Sequence, residues 1–391
     1  MAGRRVHELQ TYNNSNINLS PDFPSYGCIL AEQGVYSVHI GKVDVYADGE
    51  DLGFSEMLLP RNREFPGDHE IDRNPVQTRA GAAGRGSGFG IKEDPFKKDN
   101  DTVDAGIRWL NEKAGGISSP WVLSINIGNP HFPQYVSREY WDLYESWADL
   151  PSIGSEAESA RHPYAEDLRR HFADDEFSEE QIRGLRRGYR GCISYVDEQW
   201  GRLMEALEAN GLADDTLVIY TSDHGDMMGK FGMWWKCSLY EDSVRVPCLA
   251  AGPGIKAGRH VAAPVDLLDV QAAIFNAVGA VRPDYMKGKA LQELQDDVPE
   301  RPVFSEYHGH GVRGSSYMLR KGNWKLITYQ RGPNQLFNLE DDPEELDNLY
   351  SRSPEKAEEL EQELRNFCDT DKESERADRF IGGQLEFLGR V

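Results

Sequence analysis

Asp223, His224 and Asp226 stand within four residues in the stretch TSDHGDMMGKFGMWWK (221–236), directly after the apolar run DTLVIY, and Lys236 closes it behind Trp234 and Trp235. A carboxylate beside an imidazole suits a divalent cation, and oxygen-rich completion of the shell favours Ca²⁺, Mn²⁺ or Mg²⁺. Asp223 sits just past the apolar run, and in open α/β sheets ligands bind at the carboxyl ends of strands. The competing reading is a polar turn in which Asp223 caps the next few residues; two adjacent ligands are half a site, and the others must come from elsewhere. Lys236 reads either as a snorkelling surface residue or as a desolvated charge that grips an anion. Trp234 and Trp235 read as core, or as aromatic faces for a cationic group.

Two further residues share this placement. His131 follows the apolar segment PWVLSINI (120–127) in NIGNPHFPQY, and Lys42 follows VYSVHI (35–40) in HIGKVDVY. Three separate strands thus each end in a residue able to touch an anion or a metal. That convergence, rather than any single motif, points to an anion-processing site.

The elements that must position these residues alternate between strand and helix. Apolar strands are expected at 35–40, 120–127, 215–222 and 246–252, with a helical segment PSYGCILAEQG (24–34) before the first. A long helix lies between the second and third strands, with Ile182, Leu185, Tyr189, Ile193, Val196, Trp200, Leu203 and Leu207 on one stripe. Ser178 and Gln181 form its capping box, and Asn210-Gly211 ends it. This alternation predicts an α/β domain with a mostly parallel sheet covered on both faces. Residues 47–100, rich in Gly, Arg, Asp and Pro, read as a surface excursion near an active-site mouth. Its RAGAAGRGSGFG run is a poor phosphate loop, because no strand leads into it and no G-K-[ST] closes it. From about residue 296 short strands (RPVFSEY, SSYMLRK, NWKLITY), a Lys321-Gly322-Asn323 turn and a terminal helix from about Ser353 predict a small antiparallel sheet plus helix. The expected division is therefore 1–295 and 296–391.

Composition narrows the function. The 391 residues carry a net charge of −23, which repels nucleic acid and anionic membranes, so neither is an expected partner. No apolar run reaches the ~18–20 residues of a membrane span. The five cysteines are an odd number at wide spacing with no C-x-x-C, which argues against a disulfide framework or a zinc knuckle. The start, MAGRRVHELQ, lacks the apolar core of a signal peptide, so the chain as written is expected in the cytoplasm.

The block ISYVDEQW…TSDHGD…GMWWK…YEDSVRVP (193–247) resembles the C-terminal half of a sulfatase, a family of the alkaline-phosphatase superfamily; IGK near residue 42, NPHFPQY near 131 and QLFNLEDDPEELDNL (335–349) match as well. REYWDLYE and FGMWWKCSLYEDSVRVP resemble choline sulfatases and arylsulfatase-like proteins. The resemblance implies an alkaline-phosphatase-like fold and metal-dependent hydrolysis of a small sulfuric ester: choline sulfate, an aryl sulfate or a sugar sulfate. It implies Asp223 and His224 on the cation, Lys236 and Lys42 on the sulfate, and His131 on the sulfate or protonating the leaving alkoxide. Asn14, Trp234 and Trp235 would line the substrate pocket. Asp226 would order its loop, and Arg245 would order YEDSVRVP through an acidic partner. The resemblance also allows a homo-oligomer.

The departures are specific. Sulfatases carry a Cys or Ser in C/S-x-P-S-R, converted to the formylglycine nucleophile, and no cysteine or serine here has that context. No strand followed by Asp-Asp occurs before residue 35, and Asp44 stands where the family has histidine. The chain reads as starting at an internal methionine, with a central strand, two metal ligands and the nucleophile absent. The expectation is a sulfatase by lineage that is inactive as this chain. The alternatives are a phosphomonoester or phosphonate-ester hydrolase and a non-catalytic binder of sulfated ligands.

Overall fold

A computed structural model describes residues 1–13, 22–43, 52–61, 68–294 and 300–390. Asn14 and Asp44 lie outside the described residues.

A one-turn helix, α1 (Val6–Leu9), precedes α2 (Tyr26–Glu32), which begins where the Ser25 hydroxyl accepts the N–H groups of Gly27 and Cys28. β1 (Tyr36–Lys42) is buried from Ser37 to Gly41, as a strand covered on both faces must be. The expected surface excursion is more ordered than its composition suggests. It contains β2 (Glu56–Arg61) and β3 (Phe89–Ile91), and its end begins α3 (Lys97–Glu112). β2 is a half-exposed strand without apolar alternation. The buried stripe of α3 (Thr102, Val103, Gly106, Trp109, Leu110) is diluted by charge, so neither announces itself by period. β4 (Trp121–Asn126) then pairs in parallel with β1, Val38 opposite Leu123 and Ile40 opposite Ile125, and β2 pairs in parallel on the other side.

β5 (Gln134–Val136) pairs in parallel with β3, and α4 (Arg138–Asp142) and α5 (Pro163–Phe172) come next. α6 (Glu179–Ala209) starts at the expected Ser178–Gln181 capping box. Leu185, Val196 and Leu207 of the predicted stripe are buried, but Ile193 is exposed, and Gly184, Gly188, Gly191, Cys192, Tyr195 and Gln199 widen the buried face. The reason is close approach. A Cβ at Gly184 would sit 2.0 Å from the Phe89 ring and one at Gly188 2.4 Å from the Gln134 carbonyl, so the glycines admit the β3–β5 pair onto the helix.

β6 (Val218–Thr221), the one-turn α7 (Glu241–Val244) and β7 (Cys248–Ala251) add the antiparallel part of the mostly parallel architecture expected: β7 pairs with β6 antiparallel. Parallel pairing needs a crossover to the far end of the sheet. The segment 222–247 instead stays at the C-terminal end of β6 and builds the site there, so the chain must run back. Tyr220 packs with Ile127 in one apolar cluster, and Val218 with Leu123 and Ile125 in another, which places β6 on the β4 side. Yet among the described residues the outer edges of β4 and β6 pair with no strand, and every residue of both strands is partly exposed. The fold is mixed α/β, with α8 (Leu267–Ala277) on the remaining flank.

The C-terminal part is an antiparallel sheet of β8 (Val303–Tyr307), β9 (Ser316–Lys321), β10 (Trp324–Tyr329) and β11 (Gln335–Asn338), in order β11-β10-β9-β8. Gly322, at φ 56°, makes the predicted turn. α9 (Pro354–Arg365) packs Ala357, Leu360 and Leu364 onto Leu319, Leu326 and Leu336, and a second helix, α10 (Thr370–Phe387), ends the chain. Among the described residues no helix is long and apolar enough to cross a membrane.

Buried charge ties this sheet to the rest. Lys325, fully buried, donates to Glu241 at 2.9 Å and pairs with Glu345 at 2.7 Å. Glu306 accepts both the backbone N–H and Nδ1 of His7, at 3.1 and 2.9 Å, and meets His308 Nε2 at 2.9 Å. Burial pushes the Glu306 carboxyl up, but His308 and His7 outweigh it and hold the carboxyl at about 2. Glu306→Ala should therefore cost about 3 kcal/mol in denaturant unfolding at neutral pH. Because the folded carboxyl is depressed from 4.5, its contribution is full above pH 4.5 and lost as pH falls through 2. An unchanged midpoint at neutral pH would show that this clamp holds nothing.

Candidate active site

The C-terminal ends of β1, β4 and β6 deliver their polar residues to one place. Lys42 ends β1, and its Nζ lies 3.2 Å from Asp223 Oδ2, just past β6. His224 is next, its ring 5.7 Å from that of His131, which is carried on the loop after β4. Lys236 reaches back from the loop after β6 and donates to His131 Nε2 at 2.5 Å. Lys42, His131, Asp223, His224 and Lys236 are thus brought together from four chain segments.

Each segment is held from behind. The His131 loop hangs on Asp99, buried in the first turn of α3: its carboxylate accepts the N–H groups of Gly128 and Asn129, the Asn129 side-chain amide and Arg61. Nothing in the sequence marks Asp99, because its partners lie about thirty residues away. The 226–237 loop hangs on Asp226, whose Oδ1 accepts from Met228 N at 3.0 Å and Trp235 N at 3.1 Å. Asp226 therefore orders the loop. YEDSVRVP is anchored by Glu241, which meets Lys325 and Arg320, the latter at 3.2 Å. Arg245, expected to order this loop through an acidic partner, is exposed and makes no direct ion pair among the described residues, though its charge is among those that lower the Glu241 carboxyl.

Trp234 and Trp235 are 3% and 1% exposed and belong to the largest apolar cluster. Their rings pack the loop and present no open face, which corrects the pocket-lining expectation. The aromatic at the site is Phe132, stacked on His131 at 4.3 Å and packed on Trp235 at 4.3 Å, with Lys236 Nζ 5.5 Å from its centre. Cys237, next in the chain to Lys236, points its sulfur at His310 Nε2, 3.5 Å away, and is buried.

The electrostatics come from crowding. His131 Nδ1 lies 2.9 Å from the Phe132 carbonyl and donates to it, which leaves Nε2 as the acceptor for Lys236. Burial, then the Lys236 charge, push the His131 imidazole down to about 3, so it is neutral in the ligand-free site. Burial and Lys236 also lower His224. At Asp223 partial burial would raise the carboxyl, but His224 and Lys42 outweigh it and hold it below the usual range.

His224 Nδ1 faces the Gly225 carbonyl at 2.8 Å, which turns Nε2 toward Asp223 Oδ2, 3.8 Å away. An imidazole tied back through one nitrogen beside a carboxylate is a suitable pair of ligands. The described residues hold no group of three or more such donors, so the pair fits part of a cation site and not a whole one.

The sulfatase family model matches residues 1–280 and an N-sulphoglucosamine sulphohydrolase C-terminal model residues 229–373, and the chain belongs to the sulfatase family. A choline-sulfatase of Rhizobium meliloti is 31% identical over 89% of this chain and 71% of that protein. Arylsulfatase K of Danio rerio is 28% identical over 97% of this chain and 75% of that protein. Two solved structures share the fold. One is a 2-O GAG sulfatase (TM-score 0.69, 20% identity, covering 100% of this chain and 81% of that one). The other is a phosphonate monoester hydrolase from Silicibacter pomeroyi (TM-score 0.73, 22% identity, covering 94% and 84%). Sulfatases generally use a divalent cation.

The Lys236–His131 contact has its own readout. In imidazole NMR His131 should stay neutral down to about pH 3. Lys236→Met should move its midpoint upward, with burial still keeping it below 6.5. An unmoved midpoint would mean that the two side chains do not meet.

Proposed function

We propose that this chain binds a small sulfuric ester, with the sulfate between Lys42, Lys236 and His131, and with Asp223 and His224 facing a divalent cation, Ca²⁺ before Mn²⁺ or Mg²⁺. The observation that carries the reading is the convergence of these five side chains from four segments at one sheet end. In a chain of net charge −23, two lysines here make the local field that a tetrahedral anion needs. They would neutralise charge on the sulfuryl oxygens, where a withdrawn cation acts more strongly than in water. The ligand-free proton sits on Lys236, not on His131. His131 could therefore serve a leaving alkoxide only after Lys236 or solvent has passed it a proton. The cation, when bound, would add Lewis-acid polarisation of the same oxygens.

We infer further that the chain as written binds without turning over. No cysteine or serine in it has the context of the family nucleophile.

Calorimetry with 4-nitrophenyl sulfate and choline sulfate, in Ca²⁺ or Mn²⁺, tests the binding; release of 4-nitrophenolate tests turnover. Binding should weaken about tenfold or more in Lys236→Ala, the worth of a charge-assisted hydrogen bond, with no turnover in either protein. Turnover that survives both Lys236→Ala and Asp223→Ala would overturn the site. Tighter binding of 4-nitrophenyl phosphate than of the sulfate would move the reading to a phosphoryl ligand.

A further inference from the structure

The glycine-rich stretch 79–90 folds against the cradle and carries an arginine that is not one of the five cradle residues. Arg85 lies in a 3-10 turn, Ala83–Ser87. Three contacts fix that turn. Gln134 N donates to the Gly88 carbonyl at 2.7 Å, β3 continues into the β5 pairing just past Phe132, and Gln181 of α6 donates to Ser87 Oγ at 3.1 Å. Gly86 sits so close to Phe177 that a Cβ would come within 2.8 Å of its ring. The turn is therefore built into the wall beside the His131 loop.

The Arg85 guanidinium carbon lies 4.7 Å from the centre of the Phe132 ring and 5.3 Å from that of Phe172. Phe132 is the ring that also stacks on His131 and lies under Lys236. Among the described residues the guanidinium makes no hydrogen bond and no ion pair. Of the carboxylates in its surroundings, Asp68 pairs with Arg79 at 3.3 Å and His310 at 3.1 Å, and Asp174 accepts the Trp234 N–H at 3.1 Å through Oδ2 while its Oδ1 meets no protein donor. Burial holds the Asp174 carboxyl well above its ordinary range. A partly buried guanidinium offers five N–H donors in a planar fork, and no protein acceptor among the described residues takes them. The fork matches a carboxylate or a sulfate.

We propose that Arg85 forms a second anion subsite beside the sulfate cradle, and that the ligand of this site is a dianion: a sulfate ester bearing a further carboxylate or sulfate. The proposal rests on the sulfuric-ester reading and narrows it. It disfavours an ester with a cationic head. The Phe132 face is already taken by Arg85 and Lys236, and Trp234 and Trp235 are buried. A quaternary ammonium would find cations where it needs open aromatic faces.

The test is calorimetric binding, which needs no turnover. The probes are N-acetylglucosamine 6-sulfate, glucosamine 2-N,6-O-disulfate, glucuronic acid 2-sulfate and choline sulfate, against wild type, Arg85→Met and Arg85→Lys. Wild type should bind at least one dianion about tenfold more tightly than the monosulfate, and choline sulfate most weakly. Arg85→Met should collapse the dianion-to-monoanion ratio toward one, and Arg85→Lys should restore part of it. Preference for the uronate or for the disulfate identifies the second anion. Equal wild-type affinities, or an equal loss for all ligands in Arg85→Met, would overturn the subsite and leave the sulfate reading standing. Failure of every sulfated probe, 4-nitrophenyl sulfate included, to bind wild type would overturn that reading and the subsite with it. Should Arg85→Met melt well below wild type, Arg85→Lys alone decides.

Discussion

A lysine ammonium pressed against a neutral imidazole, 2.5 Å from nitrogen to nitrogen, is the constraint around which the site is arranged. Two cationic-capable groups at that distance cannot both be charged, so the proton stays with Lys236 and His131 is held neutral by burial and by its neighbour. The arrangement is poised for an anion. A sulfate between them would meet the positive field directly and relieve the crowding among Lys42, Lys236 and the two histidines. The same geometry explains why Trp234 and Trp235 are core. Lys236 is positioned only if the loop before it is rigid, and the two tryptophans supply that rigidity by burial.

The supports come from three directions. Asp99 grips the His131 loop from α3, Asp226 closes the 226–237 loop on itself, and Glu241 anchors the next segment to buried Lys325 of the C-terminal sheet. Buried carboxylates that accept several N–H groups are costly to disturb. The geometry of the cradle therefore depends on acids that lie outside it. The small C-terminal sheet is part of the same device, because Lys325, Arg320 and Glu345 hold the loop beyond Lys236.

Much of this was legible in the sequence. The three apolar strands ending in Lys42, His131 and Asp223-His224, the capped long helix, and the hairpin at Gly322 all obey local pattern, and local pattern is what a period or a turn residue reports. What escaped it was long-range. The buried face of α6 takes in its glycines as well as part of its apolar stripe, because the β3–β5 pair lies against it. β7 runs antiparallel because the intervening loop never crosses the sheet. Asp99 and Arg85 matter through partners tens of residues distant.

By itself the sequence determined which residue types could do chemistry, that three strands would present them at their carboxyl ends, and that the family nucleophile has no counterpart here. The tertiary structure decided which of them meet. It put Lys236 on His131, withdrew the tryptophans, and set Arg85 over the ring that His131 stacks on. The reason is physical. Strand ends and helix caps are fixed by interactions a few residues long, whereas burial, proton location and an unanswered guanidinium depend on which distant segments pack together.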